Sequence, residues 1–289
     1  MASFLSLFFR KKAKLENEVF IRTRAPISCL TGKDKFGFEQ KMANNHVWME
    51  TGNGQPIIFC HGLFGSFRNF ASIGQALSNR YRVIVPCMPM YDAPLRNCTV
   101  EKLAIYLDEF INDLKLEQVI LAGNSMGGGI ILHYTICHPE NVSILMLFSS
   151  SGLSFVPMRG GVLRVNDYNY VKSLMSDIFY RLPDLIDDND FLEIYNVVQD
   201  KSILLRCFSL TRSTKKLFSH EQLKALKHPA LIIWGENDMV IPPEIALQFQ
   251  ECLKNSELHY LSECGHCPTY EKPEQCLALI ETFLLNTTF

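Results

Sequence analysis

The segment Glu117–Gly129, which reads EQVILAGNSMGGG, decides how the rest of this chain is interpreted. Its first part contains four consecutive apolar residues, Val119–Ala122, and this pattern predicts a short strand that is buried on both faces. The pentapeptide Gly123–Gly127, GNSMG, follows at once, and an apolar helical pattern then runs to His138 and Pro139. A serine flanked by glycines between a strand and a helix is the pattern of a nucleophile elbow.

The elbow pattern has chemical consequences for Ser125. Glycines two residues before and after the serine let neighbouring backbone pass close to a strained turn. A helix that begins at Met126 directs unpaired N–H groups and its positive dipole end at the serine, where a negative oxygen would form. The alternative is an ordinary glycine- and serine-rich turn, which the flanking strand and helix disfavour.

Composition and charge exclude several functional classes. The chain has 289 residues, of which 47% are hydrophobic and 20% charged, with a formal net charge of −2, as expected of a globular protein with a large core. We see no basic stripe and expect no nucleic-acid partner. No apolar run is long enough to span a membrane. Ten cysteines are scattered, most of them inside apolar runs, which favours a reducing, cytoplasmic location over a disulfide framework.

The N-terminal segment, residues 1–35, is set apart from the rest. An apolar run, Ala2–Phe9, precedes the basic residues from Arg10 to Lys14, which is the reverse of the order in a secretory signal. This pattern predicts a terminal segment that docks on the domain or frays. The alternative is weak contact of residues 1–14 with a membrane surface.

Alternating strand and helix patterns predict the fold. They cover residues 36–152 and 228–289 and indicate an α/β domain with a mostly parallel sheet and helices on both faces. Between them, residues 153–227 show helical patterns without a strong strand, and we interpret them as a helical lid. Tyr168, Tyr170, Phe179 and Phe191 are candidates for its apolar wall.

Two residues near the C-terminus could complete a catalytic triad with Ser125. Of the eight histidines, His266 alone follows a late strand and is flanked by a glycine, so its side chain can lie over the sheet edge. Asp238 follows the preceding strand in the same way, and Glu236 on the same turn is the rival acid. The chain order Ser, Asp, His is one that a triad adopts in a known fold.

With these residues the chain resembles the α/β-hydrolase superfamily, in its lidded esterase, lipase and carbon–carbon-bond hydrolase branch. The resemblance covers about residues 40–286. The resemblance depends on four motifs in order: His61-Gly62, GNSMGG at 123–128, GEND at 235–238 and CGH at 264–266. The motif D-x-P-G-x-G-x-S of many relatives is replaced by MPMYDAPL after the strand at 81–86, so the pocket and the subfamily stay open.

The resemblance implies roles for individual residues. Ser125 is the nucleophile, His266 the general base and Asp238 the acid that orients it. The N–H groups of Met126 and Leu63 form the oxyanion hole, with Phe64 as the alternative to Leu63.

Substrate contacts are predicted at three further positions. Asn124, and Asn69 downstream of His61, look like asparagines that contact the substrate in hydrolases of vinylogous diketone acids, and His61, which opens the glycine turn, is the third predicted contact. Asn124 could instead bond the backbone of the turn, as asparagine often does.

We therefore expect a serine hydrolase of a small, largely apolar carboxylic ester, with a small-molecule substrate and no metal or organic cofactor. The alternatives are a carbon–carbon-bond hydrolase and a non-catalytic ligand-binding protein of the same fold.

Two other patterns are disfavoured as functional sites. The C-x-x-C motif Cys264–Cys267 lacks a thioredoxin-like context. The acidic run Asp187–Asp190 lacks the glycine and glutamate of a calcium loop and is interpreted as an exposed turn.

Overall fold

The computed structural model describes residues 35–153, 165–181, 188–215 and 217–287 of the chain. The predicted membrane-surface contact of residues 1–14 lies outside these ranges and stays a prediction. Among the described residues, no helix combines the length and the apolar character that crossing a bilayer requires.

A single sheet organises the described part of the chain. It has eight strands in the order β1-β2-β4-β3-β5-β6-β7-β8. The pairs β1–β2 and β2–β4 are antiparallel, and all the other neighbours are parallel. The predicted fold class is thereby confirmed. The strands are β1 Glu39–Ala43, β2 His46–Thr51, β3 Gln55–Cys60, β4 Tyr81–Pro86, β5 Val119–Asn124, β6 Val142–Phe148, β7 Ala230–Gly235 and β8 Ser256–Leu261.

Helices cover both faces of this sheet, which is expected when right-handed crossovers run in both directions from β3 and β4. The α-helices of the described residues are α1 Ala71–Leu77, α2 Val100–Asp113, α3 Met126–Cys137, α4 Tyr168–Ser176, α5 Asp188–Gln199, α6 Lys201–Ser213, α7 His220–Lys224, α8 Glu244–Cys252, α9 Pro268–Glu271 and α10 Pro273–Asn286. Helix α2 begins after Thr99, whose side chain accepts a hydrogen bond from the N–H of Lys102, as the sequence predicts for an N-cap.

The core lies in two apolar layers, one on each face of the sheet. Strands β5 and β7 are buried along their whole length, which explains their uninterrupted apolar sequences. Helix α3, directly after the elbow, is apolar on nearly all sides and buries most of its residues against the sheet and α2. The elbow is therefore anchored in the most buried part of the protein.

Helices α4 to α7 lie between β6 and β7 in the chain, and we call residues 153–227 the inserted segment. Part of it packs as a separate apolar cluster, the insert cluster. The buried members of this cluster are Val171, Met175, Phe179, Phe191, Val198 and Cys267.

The prediction of an acidic turn at Asp187–Asp190 is wrong for the described residues of that run, since α5 already begins at Asp188. Acidic residues suit the positive end of a helix. Asp187 itself lies outside the described residues.

The cysteines follow the prediction with one exception. Eight of the cysteines in the described part are free, and all of these but Cys137 are buried. Cys87 is disulfide-bonded, which the scattered spacing did not predict. The cellular location therefore stays a prediction.

Candidate active site

Ser125 occupies a strained turn between β5 and α3. Its backbone angles are φ 56° and ψ −120°, a conformation that residues other than glycine rarely adopt. The turn is held at both ends, because the Ser125 N–H donates to the Phe148 carbonyl at 2.9 Å and the Ser125 carbonyl accepts from the Ser151 N–H at 2.9 Å. Both partners belong to the end of β6 or directly follow it, so the sheet itself maintains the strain.

The glycines around Ser125 are required by close backbone approach. A Cβ atom at Gly127 would lie 2.0 Å from the carbonyl oxygen of Cys60, and one at Gly123 would lie 2.5 Å from the carbonyl carbon of Gly127. A Cβ at Gly62 would lie 2.9 Å from the Cβ of Ser125. These distances bring the loop after β3 directly against the nucleophile elbow.

Two backbone N–H groups are predicted as oxyanion donors, those of Met126 and Leu63, with Phe64 as the alternative to Leu63. Met126 is the first residue of α3, so its N–H has no acceptor within the helix. The Phe64 N–H donates to the Tyr91 hydroxyl, and this bond withdraws it from the oxyanion hole in this conformation. Burial raises the pKa of the Tyr91 phenol. Of the two alternatives, the geometry favours Leu63 over Phe64.

His266 and Asp238 are directly bonded. The His266 Nδ1 lies 2.8 Å from Asp238 Oδ2, and both residues are buried. A neutral imidazole that donates from Nδ1 to a carboxylate leaves Nε2 as the proton acceptor. The pair therefore has the tautomer that a general base needs.

Asp238 is oriented by its own turn. Its second oxygen, Oδ1, accepts the N–H groups of Val240 at 2.8 Å and Ile241 at 2.9 Å. The carboxylate therefore divides its two oxygens between the backbone and His266. The rival acid, Glu236, is exposed, and no hydrogen bond joins it to a histidine in the described part of the chain.

The backbone around His266 is bonded from several sides. The His266 N–H donates to the Ile178 carbonyl of the inserted segment at 2.7 Å. The His266 carbonyl accepts from Asn124 Nδ2 at 3.0 Å, and the same amide also donates to the Phe148 carbonyl at 3.0 Å. Asn124 therefore forms hydrogen bonds to backbone carbonyls, which is the alternative that the sequence left open. These bonds link the elbow to the loop that carries His266. Its contact with a substrate stays a prediction.

The other predicted substrate contacts also have structural partners. Asn69 Oδ1 accepts the Ser66 N–H at 2.7 Å and closes a capping box at a short 3-10 turn. His61 is buried, with Nδ1 2.9 Å from the Gly62 carbonyl oxygen. These bonds fix the loop that carries Leu63, and substrate contact by either residue stays a prediction.

The C-x-x-C motif does not have the properties of a redox site. Cys264 and Cys267 are both free and buried, and burial raises the pKa of each thiol, as do nearby carboxylates. Redox motifs of this type lower the thiol pKa instead. Among the described residues, no group of three or more histidine, cysteine, aspartate or glutamate side chains is arranged to hold a metal ion.

Two residues near the site were not singled out from the sequence. Tyr91 lies in the loop MPMYDAPL, the place where the family motif is absent, and that departure was the available signal. Glu271 lies in α9, which is too short for a periodic pattern, and it bonds the backbone on both sides of His266.

Comparisons with known proteins identify the family of the chain. The model of the alpha/beta hydrolase family matches residues 57–279. The 2-hydroxymuconate semialdehyde hydrolase of Pseudomonas sp. is 29% identical over 252 residues, which cover 81% of this chain and 88% of that protein.

Two solved structures extend the comparison. One is MGS-MChE2, an alpha/beta hydrolase enzyme from the metagenome of lagoon sediments of Mar Chica, Morocco. It is 30% identical with a TM-score of 0.69, and the match covers 86% of this chain and 98% of that chain. The meta-cleavage product hydrolase CumD of Pseudomonas fluorescens has a TM-score of 0.75 at 24% identity, with 86% and 98% covered, and shares the fold.

Proposed function

The chain belongs to the alpha/beta hydrolase family, and from that premise we propose that it is a serine hydrolase that cleaves its substrate through an acyl-enzyme on Ser125. The observation that carries the proposal is the 2.8 Å bond between His266 Nδ1 and Asp238 Oδ2. It gives a buried imidazole the tautomer and orientation of a general base, at the same sheet edge as a strained serine.

In the proposed reaction, His266 Nε2 accepts the hydroxyl proton of Ser125 as the serine oxygen attacks the substrate carbonyl. Asp238 stabilises the imidazolium that forms. The N–H groups of Met126 and Leu63 stabilise the oxyanion. The protonated His266 then gives its proton to the leaving group, and a water molecule activated by His266 releases the acid from Ser125.

The apolar insert cluster supports a largely apolar substrate. The cluster includes Cys267, which directly follows the base, and packs against Phe64, which directly follows the proposed oxyanion donor Leu63. An acyl group bound between these elements would meet hydrocarbon and aromatic surface, which favours apolar over highly charged substrates. A small carboxylic ester is therefore the substrate class that we propose, with the inserted segment as its lid.

A second candidate is hydrolysis of a carbon–carbon bond. The relative from Pseudomonas is a 2-hydroxymuconate semialdehyde hydrolase, and the elbow of this chain contains Asn124 beside Ser125. The same serine, base and oxyanion donors could cleave a vinylogous diketone acid, since delocalisation in such a substrate stabilises the carbanion that leaves. A ligand-binding protein without activity is the third possibility.

One panel separates these candidates. p-Nitrophenyl esters of graded chain length are compared with a vinylogous diketone acid, using the wild type and Ser125→Ala. We expect Ser125-dependent cleavage of short esters and labelling of Ser125 by a fluorophosphonate. Cleavage of the diketone acid alone would support the second candidate. The absence of both cleavage and labelling would support the ligand-binding alternative.

A further inference from the structure

The hydrogen bonds around Glu271 point to a role for this residue beyond the triad. We propose that Glu271 is a positioning residue that joins the inserted segment to the loop of His266, so that the base is aligned only while the two are bonded. The inference rests on the proposed function, because it requires His266 to be the general base.

The carboxylate of Glu271 accepts N–H groups from both neighbours of His266. Its Oε2 accepts the Gly265 N–H at 2.9 Å, and its Oε1 accepts the Cys267 N–H at 3.0 Å. Bonds from N–H groups to a carboxylate are stronger than bonds to neutral acceptors. Because they lie on either side of His266, they restrict rotation of the backbone that carries the imidazole.

The same carboxylate also bonds the inserted segment. Glu271 Oε2 accepts the Tyr180 N–H at 2.8 Å, in addition to the Gly265 N–H. Two residues before Tyr180, the Ile178 carbonyl accepts the N–H of His266 itself at 2.7 Å. The segment 178–180 therefore contacts the histidine loop directly and through Glu271.

Gly265 shows how closely these two parts of the backbone approach. A Cβ atom at this position would lie 2.7 Å from the Ile178 carbonyl oxygen and 2.8 Å from the Tyr180 nitrogen. Real Cβ atoms do not approach backbone so closely, and one of the two chains would have to move. Alanine at position 265 therefore tests the same contact as Glu271, from the other side and without changing a charge.

Glu271 and the segment 178–180 bond to the backbone around His266 and not to its imidazole ring. Loss of these bonds should therefore affect the alignment of the ring. Loss of the bonds leaves the side chains of His266 and Asp238 chemically unchanged but allows the loop that carries the imidazole to move, and a misplacement of about 1 Å can lower a rate about 100-fold. Substrate binding should change little. Turnover should change strongly, since it requires His266 Nε2 at the proton of Ser125.

The experiment measures p-nitrophenyl acetate hydrolysis by Glu271→Gln and Gly265→Ala, at a temperature where circular dichroism shows each to be folded. The matched control is Glu274→Gln, an exposed carboxylate three residues further on. For both test variants we expect kcat to fall by about 30- to 100-fold with KM within about threefold of the wild type, as for lost positioning. The control should match the wild type.

A spectroscopic measurement separates positioning from general stabilisation. The proton shared by His266 Nδ1 and Asp238 gives a far-downfield NMR resonance, which should broaden or shift in Glu271→Gln and stay unchanged in Glu274→Gln. If both test variants lower only the melting temperature, with kcat and this resonance unchanged, the proposal is wrong.

Two controls keep this outcome distinct from failure of the proposed function. Ser125→Ala and His266→Ala should both abolish turnover. If they retain the wild-type rate, the proposed function fails, whatever Glu271→Gln does. If Glu271→Gln does not fold, Gly265→Ala decides the question, and wild-type kcat in that variant refutes the proposal.

Discussion

Replacement of Asp238 by asparagine should abolish most activity without disturbing the fold, and the structure determines how. The Oδ1 atom of Asp238 accepts the N–H groups of Val240 and Ile241 at 2.8 and 2.9 Å. In Asp238→Asn the amide oxygen must stay on this side, because an amide NH2 there would face two donors. The NH2 group is therefore directed at His266 Nδ1, where the carboxylate oxygen lies 2.8 Å away in the wild type.

An amide donor at this position reverses the tautomer of His266. Nδ1 must then accept a hydrogen bond, so the proton moves to Nε2, and the ring can no longer take the proton of Ser125. The corresponding change in a serine protease lowers kcat about 10⁴-fold, and we expect a loss of up to that size. Because the two backbone bonds survive, the free energy of unfolding should change little. In Asp238→Ala both N–H groups lose their acceptor, which should cost about 1–3 kcal/mol for each group left unpaired.

The assay compares kcat/KM for p-nitrophenyl acetate and thermal unfolding of Asp238→Asn with those of Glu236→Gln. Glu236 is a suitable control because it lies on the same turn and is exposed. The reasoning would be refuted if Asp238→Asn stayed within about tenfold of the wild-type rate, which is about 1.4 kcal/mol in barrier height. It would also be refuted if Glu236→Gln were the variant that lost activity.

Three further predictions concern the nucleophile, a buried ion pair and the cysteines. Ser125→Ala should lower kcat at least about 10³-fold, because triad members act as a unit, and residual activity near the wild type would contradict the elbow assignment. Burial alone would raise the pKa of Glu50, but bonds from Arg82 and other donors outweigh it and lower this pKa. The stability that these bonds contribute is present above the unfolded-state pKa of Glu50 and is lost as pH falls. In denaturant unfolding, the free energy of unfolding of Glu50→Gln should be lower than that of the wild type by about 1–3 kcal/mol at pH 7, and this difference should shrink below about pH 4. Cys264 and Cys267 should resist iodoacetamide in the native protein and react only after unfolding, since burial raises the pKa of both thiols; rapid native labelling would contradict this.

The sequence was sufficient for the parts of the fold that depend on local pattern. Strand β4 begins and ends at residues 81 and 86, as the sequence predicts, and the residues of the elbow follow a strand and begin a helix. Helix ends were less accurate. Phe179, for example, continues the apolar pattern three residues beyond Ser176, where α4 ends, because its side chain packs in the insert cluster.

What the sequence could not supply are contacts between distant parts of the chain. The bond between Glu271 and Tyr180 spans 91 residues, and that between Asn124 and the His266 carbonyl spans 142. No periodicity or motif encodes such pairs, since the first depends on how the inserted segment packs against α9 and the second on how the loop after β8 lies against the end of β5. The choice of Leu63 over Phe64 likewise depends on the bond from the Phe64 N–H to Tyr91.

The three proposed catalytic residues differ in the hydrogen bonds that hold them in place. Ser125 is fixed by the Phe148 carbonyl and the Ser151 N–H, at and just after the end of β6. Asp238 is fixed by N–H groups of its own turn. Of the three, only His266 has a backbone bond to the described part of the inserted segment, through the Ile178 carbonyl. Movement of that segment would therefore displace the base while leaving the nucleophile and the acid in place. The step that requires all three residues, proton transfer from Ser125, would then be the first to fail.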